Sequence, residues 1–406
     1  MGGDDPRALS DDEYVLAINA GSSSLKCALF QWVGTTLRNG GYPTESSVSL
    51  PALERLHLEA GPGTESRTAA GLQGLLERHS IGEKPDRLRG VGHRIVHGGT
   101  RYTQPAVITP EILADLRQLT PLAPEHEPAE LDLVATLLAR VPSVPQVACF
   151  DTAFHRDLPR RARLLPIPRR YFDAGVRRYG FHGLSYEFLM EELVRLGDPA
   201  ATHGRVILAH LGNGASLAAV RDGKCVDTSM AFTPAAGLVM GRRSGDLDPG
   251  LVSYLARMER MTPQDFDAII NHESGMLGVS ETSSDMRELL ALESTDSRAA
   301  DAIALFCYQA SKWIGAFAVA LGGVDTIVFA GGIGEHCAPV RQRICADLGF
   351  LGVDFDHLRN DAQAPIISKD ASRLTVRVIP TDEELMIARS VCRVLALGTS
   401  VQKSTP

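Results

Sequence analysis

The hydrophobic pattern contains the same arrangement twice: an apolar run, a short polar turn and a second apolar run. The first copy covers residues 15–30 and the second covers residues 205–220. Both turns combine glycine with serine or asparagine, and the flanking runs have the length and composition of β-strands. Such a turn lets backbone N–H groups converge on an anion, and Lys26 adds a positive charge to the first one. One hairpin alone is typical of an ordinary β-turn, but the repetition predicts a duplicated fold that binds a nucleotide from both sides.

The rest of the chain alternates predicted helices and strands. A Gly-, Pro- and Ser-rich stretch extends from the first hairpin to about residue 63, and residues 88–99 form a buried strand that runs into a glycine-rich loop. The Arg- and Pro-rich segment 153–179 is expected to be a loop that crosses between domains. Apolar periodicity predicts helices over 69–79, 110–119, 128–138, 299–322 and 383–397, and strands over 144–150 and 324–329.

Two of the predicted strands end beside residues suited to chemistry. The strand over 144–150 carries Asp151 at its carboxyl end, where open α/β sheets bind ligands. The strand over 324–329 runs into a glycine loop at 330–335, an arrangement that lets the backbone approach a nucleotide closely. This loop has neither the GxGxxG spacing nor the P-loop spacing, so neither a Rossmann fold nor a P-loop fold is indicated.

Composition narrows the class of protein. A length of 406 residues favours two domains, and the net charge of −8, without a basic stripe, argues against a nucleic-acid partner. Seven dispersed cysteines without metal-binding spacing are typical of buried thiols in a reducing compartment. Neither a signal peptide nor an uninterrupted apolar span stands out, so we expect a cytoplasmic protein with no membrane partner.

Three short clusters combine charged or imidazole side chains with glycines. They lie at 93–99, 179–183 and 240–250. Each cluster alone is typical of a surface loop. Together with two anion-binding turns and Asp151, they indicate one combined site.

The same clusters carry a resemblance that extends almost from end to end of the chain. The matching segments are 19–26, 92–99, 150–155, 179–183, 210–216, 241–249, 332–335 and 380–384. On these motifs the chain resembles the acetate kinases, which belong to the acetate and sugar kinase/Hsp70/actin superfamily. The resemblance implies an α/β protein with a duplicated ribonuclease-H-like (actin-like ATPase) fold, two domains around a central cleft, and a homodimer. The implied bounds are a flexible tail over 1–13, a first domain over 14–151 plus 384–400, and a second, nucleotide-binding domain over 152–383.

The resemblance also assigns site residues. The expected catalytic residues are Arg94, Asp151, His182 and Arg243. The expected acceptor contacts are Arg94 and an apolar wall of Val96, Phe181 and Pro234. The expected nucleotide contacts are Lys26, His210, Leu211, Gly212, Asn213, Gly214, Asp285, Met286, Arg287, Gly332, Ile333, Gly334, Glu335 and His336. ATP/ADP is the implied co-substrate, and Mg²⁺, with Mn²⁺ as the alternative, is expected near Asn19 and Glu383.

Physical chemistry agrees with these roles. Transfer of the ATP γ-phosphoryl group to acetate brings an anion to a triphosphate, so positioning and charge neutralisation dominate. Guanidinium groups such as those of Arg94 and Arg243 bind planar anions bidentately. Asp151 is unsuited to act as a general base, because the acceptor acid is already ionised at neutral pH and has no proton to remove. We therefore expect Asp151 to hold the Mg²⁺ hydration shell or to orient an arginine.

Departures from the family pattern concern both substrates. Within segment 122–128, Glu125 replaces the apolar residue that lines the methyl pocket in the family. An unpaired carboxylate there would be costly, so we expect Glu125 to turn outward and acetate to remain the substrate. Segment 233–237 also differs, and we expect this to change loop packing. On the nucleotide side, Met286 and His336 replace the usual Phe and Asn.

Three alternatives stay open. A propionate or butyrate kinase would share this site, because one methylene in an apolar pocket is worth only about 1–3 kcal/mol. A non-catalytic actin- or Hsp70-like nucleotide switch would not need Arg94, His182 and Arg243 together. A metal-dependent hydrolase would need a His/Asp ligand cluster, which the sequence lacks.

Overall fold

The computed structural model describes residues 13–21, 24–32, 50–59, 64–79, 81 and 84–397. The hairpin residues 22 and 23 lie outside the described residues, as does the end of the first predicted domain, 398–400. The expected tail over 1–13 also lies outside them except for Glu13, which begins the first strand.

The chain divides into two compact units. The first unit is Met1–Ala153 with Asp382–Pro406, and the second is Phe154–Thr381. The domain bounds predicted from the sequence lie two residues away at each internal boundary (151 against 153, and 384 against 382).

The strands form two sheets, one in each unit. The strands of the first unit are β1 (Glu13–Ala20), β2 (Ser24–Trp32), β3 (Ala52–Glu59), β4 (Leu88–Ile95), β5 (Ala106–Val107) and β6 (Gln146–Phe150). The strands of the second unit are β7 (Arg205–Leu211), β8 (Ala215–Arg221), β9 (Lys224–Thr228), β10 (Thr326–Ala330) and β11 (Thr375–Val378).

The α-helices are numbered in chain order. In the first unit they are α1 (Thr64–Arg78), α2 (Pro110–Leu119), α3 (Glu127–Arg140) and, at the chain end, α16 (Glu383–Val394). The second unit contains α4 (Arg160–Arg163), α5 (Arg169–Asp173), α6 (Gly183–Arg195), α7 (Ala200–His203), α8 (Gly250–Glu259), α9 (Pro263–Ala268), α10 (Gly275–Ser280), α11 (Met286–Leu292), α12 (Ser297–Leu321), α13 (Gly331–His336), α14 (Ala338–Ala346) and α15 (His357–Asp361).

The sheet of the first unit has the strand order β3-β2-β1-β4-β6-β5. β1, β2 and β3 pair as antiparallel neighbours, whereas β4 is parallel to both β1 and β6. Six consecutive residues of β1 are buried, which is the pattern of a strand covered on both faces. Because β1, β4 and β6 are parallel, their carboxyl ends meet at one edge of the sheet.

The sheet of the second unit repeats this plan, with the order β11-β10-β7-β8-β9. β7, β8 and β9 are antiparallel neighbours, and β10 is parallel to β7 and β11. Each unit therefore contains an antiparallel three-stranded meander followed by two parallel strands. The duplication predicted from the two hairpins is confirmed.

Several predicted elements agree closely with the structure, and others were missed. α2 has the predicted bounds because the Thr109 side chain accepts a hydrogen bond from the backbone N–H of Ile112 and Pro110 begins the helix. β3 lies within the Gly-, Pro- and Ser-rich stretch, for which no element was predicted. The segment 153–179, expected to be a loop, contains α4 and α5.

Helix α12 is the longest apolar element. By length and composition alone it could cross a membrane, but half of its most apolar window is buried within the protein. Its buried side chains, such as Ile303, Phe306 and Ile314, are typical of a core helix. All seven cysteines are free thiols, as the sequence predicts, and all except Cys337 are buried.

Candidate active site

The parallel strands of the first sheet bring three predicted site residues to the same edge. Asn19 lies next to the last residue of β1, Arg94 lies next to the last residue of β4, and Asp151 follows β6 directly. Asn19 and Asp151 are both buried. The prediction that Asp151 follows the carboxyl end of a strand is confirmed.

Asn19 connects this edge to the beginning of α16. Its Nδ2 donates to Glu383 Oε2 at 2.8 Å and to Glu384 Oε1 at 2.8 Å. Lys26 pairs with Asn19 in the register between β1 and β2, and its charge acts on both glutamates. The predicted metal-side residues Asn19 and Glu383 are therefore in direct contact.

Arg94 is held on three sides. Its Nη2 and Nε donate to Asp151 Oδ2 at 2.8 and 3.2 Å. Its Nη1 donates to the carbonyl oxygen of Ala20 at 2.6 Å and to Glu130 Oε1 at 3.3 Å. The other oxygen, Asp151 Oδ1, is buried without a hydrogen-bond partner in the described part of the chain. Asp151 thus orients the arginine and keeps one oxygen for a further group.

Negative charge accumulates at this edge. Burial first, and then the neighbouring charge of Asp151, raises the pKa of Glu383 above its usual range. Burial also raises the pKa of Glu384. Although burial opposes its charge, Arg94 has a raised pKa because Asp151, Glu130 and Glu383 surround it. The guanidinium therefore stays ionised, and the edge favours a further cation.

His93, beside Arg94 in the sequence, is not a second cation. Burial lowers the pKa of His93 to about 4, and its Nε2 lies 2.7 Å from Gln146 Oε1. Arg94 alone therefore supplies positive charge from the 93–99 cluster.

In the second unit, two predicted imidazoles stack. The rings of His182 and His210 lie 4.3 Å apart at an interplanar angle of 27°. His182 Nδ1 lies 2.9 Å from Ser216 Oγ, and His210 Nδ1 lies 2.8 Å from Ser185 Oγ. His182 has a left-handed backbone with φ of 58°, an uncommon conformation that marks a constrained position before α6.

Arg243, in the segment between β9 and α8, lies near the same cluster beside the turn that follows β7. A Cβ placed on Gly214 would lie 3.3 Å from His182 Nε2 and 3.5 Å from Arg243 Nη1. On the other side of the loop, a Cβ on Gly212 would lie 3.9 Å from the backbone nitrogen of Gly332. The glycines keep this space open between an imidazole, a guanidinium and a backbone N–H group.

The glycines predicted to form a loop after β10 lie within helix α13. Gly331 has φ of 76°, and a Cβ there would lie 2.7 Å from the carbonyl oxygen of Leu211, so only glycine fits. Glu335 Oε1 accepts from the backbone N–H groups of Gly331 at 2.8 Å and Thr381 at 3.0 Å. Glu335 therefore fixes the glycine turn, whereas His336 is exposed at the surface.

The other predicted nucleotide and acceptor residues make local contacts within the second unit. Asp285 caps α11 and pairs with Arg287 at 2.6 Å, while Met286 is buried. Phe181 is buried, and its carbonyl oxygen accepts from His155 Nε2 at 2.9 Å. Pro234 is half-buried in the loop before α8.

Four polar residues at these positions were missed by sequence reasoning. Glu130 contacts Arg94, Glu127 lies one turn earlier on α3, and Ser185 and Ser216 contact the two imidazoles. Ser216 is the last residue of the matching segment 210–216. Its position beside the hairpin turn could therefore have indicated that it belongs to the site.

Comparison with known proteins decides the family. The model of the acetokinase family matches residues 14–389. The chain belongs to the acetokinase family. A propionate kinase of Citrobacter rodentium is 42% identical over 399 residues, covering 96% of this chain and 99% of its own. An acetate kinase of Rhodopseudomonas palustris is 42% identical over 398 residues, covering 94% and 98%.

A solved structure agrees with this family. The acetate kinase of Porphyromonas gingivalis has a TM-score of 0.81 and 36% identity, covering 94% of this chain and 100% of its own. The two mixed α/β sheets thus have the actin-like ATPase fold that the sequence predicts. Acetokinases are ATP-dependent phosphotransferases with a carboxylate acceptor, and ATP and ADP are their co-substrates.

Proposed function

We propose that the protein is an acetate kinase, which reversibly transfers the γ-phosphoryl group of ATP to acetate and gives acetyl phosphate and ADP. Arg94 carries the proposal. A guanidinium has five N–H donors, and the contacts to Asp151, Ala20 and Glu130 use four. One donor remains for an acceptor carboxylate, in a member of the acetokinase family.

The second unit supplies groups for the transferred phosphoryl. We assign His182 and Arg243 to its equatorial oxygens, since both approach the open space at Gly214. Backbone N–H groups of the loop from His210 to Gly214 and of Gly332 bind the phosphates of the nucleotide. This division suits a reaction whose transition state needs positioning and charge neutralisation more than covalent help.

The first sheet edge fits Mg²⁺. Asp151 has a buried oxygen without a partner in the described part of the chain, and Glu383 beside it has a raised pKa. The described part of the chain contains no group of three or more His, Cys, Asp or Glu residues that could ligate a metal ion directly. We propose that Asn19 and Glu383 hold Mg²⁺, or Mn²⁺, through its water shell, as is usual for Mg²⁺. When bound, the ion neutralises charge on the phosphates.

Acceptor size is the second part of the proposal. Val96 is buried at the end of β4 and offers apolar surface, and Phe181 and Pro234 are proposed further contacts of the acyl group. Glu125 is exposed, as expected for a side chain turned away from an anionic acceptor. A propionate kinase stays the alternative, since a relative of that name is equally similar; nothing in the described residues favours butyrate.

A non-catalytic nucleotide switch is less consistent with the site. A switch has no need for an arginine oriented by Asp151 and Glu130 in addition to the His182 and Arg243 pair.

We also propose that the protein is a cytoplasmic homodimer without nucleic-acid or membrane partners. α8 presents exposed apolar side chains that are unusual on a monomer, namely Leu251, Val252, Tyr254 and Met258. Light scattering on the eluted protein should give twice the 43.7 kDa chain mass. A monomer at micromolar concentration would contradict the dimer.

One experiment tests the activity. The protein is incubated with Mg-ATP, hydroxylamine and either acetate, propionate or butyrate, and the acyl hydroxamate is quantified. We expect acetate to give the highest kcat/KM, and the variant Arg94→Ala to give almost no product. A higher kcat/KM with propionate would change the substrate assignment. No product with any acid, while ATP still binds, would favour the nucleotide switch.

A further inference from the structure

Two glutamates of α3 are buried one helical turn apart in the first unit. Glu127 is 0% exposed and Glu130 is 4% exposed. Both carboxylate oxygens of Glu127 are buried without a hydrogen-bond partner in the described part of the chain. An ionised carboxylate is rarely left in such surroundings, because the cost of its desolvation is not offset.

Glu130 reaches the acceptor side of the site with both of its oxygens. Oε2 accepts from the backbone N–H of Val96 at 2.8 Å, and Oε1 accepts from Arg94 Nη1 at 3.3 Å. Glu130 thus occupies a donor of the guanidinium that, under the proposed function, binds the acceptor carboxylate. Two carboxylates, one internal and one from the substrate, compete for the same cation.

The charges around this pair come from four elements. Arg94 on β4 and Asp151 after β6 act on Glu130, and Glu130 in turn acts on Glu127. Glu383 on α16 acts on Arg94. Burial, opposed by Arg94, raises the pKa of Glu130 to about 7. Burial and the repulsion from Glu130 raise the pKa of Glu127 to about 8. The pair therefore changes its charge within the neutral range.

We propose that Glu130 is a positioning residue that competes with the acceptor carboxylate for Arg94. The inference rests on the proposed function. When Glu130 is protonated, Arg94 regains a donor and the site loses a negative charge, so the acceptor binds more tightly. Since acetate stays ionised throughout the neutral range, the effect belongs to the protein.

Steady-state kinetics at pH 6 to 9 test the competition. The KM for acetate in the wild type should rise about tenfold across this range, the size expected for one charge near the acceptor. The KM for ATP should follow a different and shallower course. Glu130→Gln should keep the acetate KM low and nearly constant with pH, because the amide cannot compete as an anion. Glu127→Gln should leave the rise at nearly the same pH, because a protonated carboxyl group and an amide are both uncharged while Glu130 ionises.

A matched control comes from the same helix. Asp132 lies on the outer face of α3 with its side chain 73% exposed, and Asp132→Asn should keep the wild-type profile. If Glu130→Gln keeps the wild-type pH dependence, the proposal is wrong while the kinase assignment stands. If the wild type forms no acyl phosphate, both are wrong.

A spectroscopic measurement follows the same titration independently of the kinetics. The infrared carbonyl band of a protonated carboxyl group should persist in the wild type at pH 7 and disappear by pH 9. The band should also weaken in Glu130→Gln as the shared titration is lost. Absence of the band at pH 7 in the folded wild type would overturn the proposal, because Glu130 would then be ionised throughout the range.

Discussion

At the scale of single residues, Arg94 contacts two carboxylates directly and lies near a third, that of Glu383. One guanidinium therefore interacts with more carboxylates than its single positive charge can neutralise. Its planar fork makes this possible, because separate N–H groups address Asp151, Glu130 and the carbonyl of Ala20 at once. A side chain with one ammonium group cannot reproduce that geometry.

Replacement of Arg94 by lysine tests this arrangement. We expect Arg94→Lys to lower kcat/KM for acetate by about 100-fold or more, because a misplaced charge no longer aligns the acceptor. The KM for ATP should change little. Arg89→Lys is the matched control, since Arg89 lies on the same strand and forms an exposed ion pair with Glu13. Equal losses in both variants would contradict a specific role for Arg94.

The buried Glu127 also makes a prediction about stability. Its pKa of about 8 lies above the ordinary value of about 4.3, so between these pH values the folded chain keeps a proton that the unfolded chain releases. Unfolding is then favoured progressively as pH rises toward 8. Glu127→Gln should therefore gain free energy of unfolding relative to wild type between pH 5 and pH 9, at about 1.4 kcal/mol for each pKa unit.

Urea unfolding of both proteins at several pH values measures this difference. Asp132→Asn, on the same helix but exposed, should show a difference that is flat with pH. A flat difference for Glu127→Gln as well would mean that Glu127 is ionised in the folded protein at neutral pH.

These two glutamates show what the sequence leaves undetermined at this scale. Arg94 and Asp151 could be predicted because their motifs are distinctive and strand ends point to function. Glu125 is exposed, as the sequence predicts, but the burial of Glu127 was not predicted. Which of two alternate glutamates faces inward depends on the angle at which the chain enters α3, and no local pattern specifies that angle.

At the scale of elements, glycine positions shape the cluster of candidate site residues in the second unit. Gly214 lies in the β7–β8 turn, where a methyl group would meet His182 and Arg243 at 3.3 and 3.5 Å. Such contacts are tight but leave room for small shifts, so the loop should still fold. The added methyl group would, however, occupy the space that we assign to the transferred phosphoryl.

The variant Gly214→Ala isolates that space. We expect kcat to fall about tenfold or more, because the reacting groups are displaced, while the melting temperature stays close to wild type. Gly315→Ala is the control, since a Cβ at that position of α12 meets nothing within 4 Å and alanine favours helix. If Gly214→Ala retains wild-type kcat, the phosphoryl group does not occupy this space.

Helices and strands were predicted where local sequence signals determine them, and were missed where pairing with another strand determines them. α2 has a proline and a threonine cap at its start, so its first residue could be predicted. β3 has no such signal, because its alternating Leu56 and Leu58 are only partly buried and follow a stretch without a pattern. It becomes a strand through hydrogen bonds to β2, which is a tertiary interaction.

At the scale of the whole molecule, both sheets contain a three-stranded meander followed by two parallel strands, and the sequence revealed this duplication only through the two hairpins. The sequences of the parallel strands β4, β6, β10 and β11 do not indicate which strands they pair with. The strand order of the sheets therefore could not be predicted. The return of the chain at Asp382 to complete the first unit was indicated by the family resemblance alone.

That return gives the first unit its last layer. α16 packs against β1, β4 and β6. A Cβ on Gly92 would lie 2.4 Å from Ile387 Cγ2, and one on Gly90 would lie 2.7 Å from Val391 Cγ1, so the helix approaches the sheet backbone directly. A chain that ends at Thr381 keeps the second unit but exposes the face of the first sheet that α16 covers.

We therefore expect the chain truncated after Thr381 to lose the first unit selectively. Limited proteolysis with mass spectrometry should show rapid cleavage within residues 84–153, while 154–381 stays protected. Adding a synthetic peptide of residues 382–397 should restore protection, because Asn19 then regains Glu383 and Glu384 and the sheet regains its cover. A peptide in which Ile387 and Val391 are replaced by aspartate should not restore it, since a charged side chain cannot fill the space above Gly90 and Gly92. Equal protection of both units in the truncated chain would show that the first sheet is stable without α16.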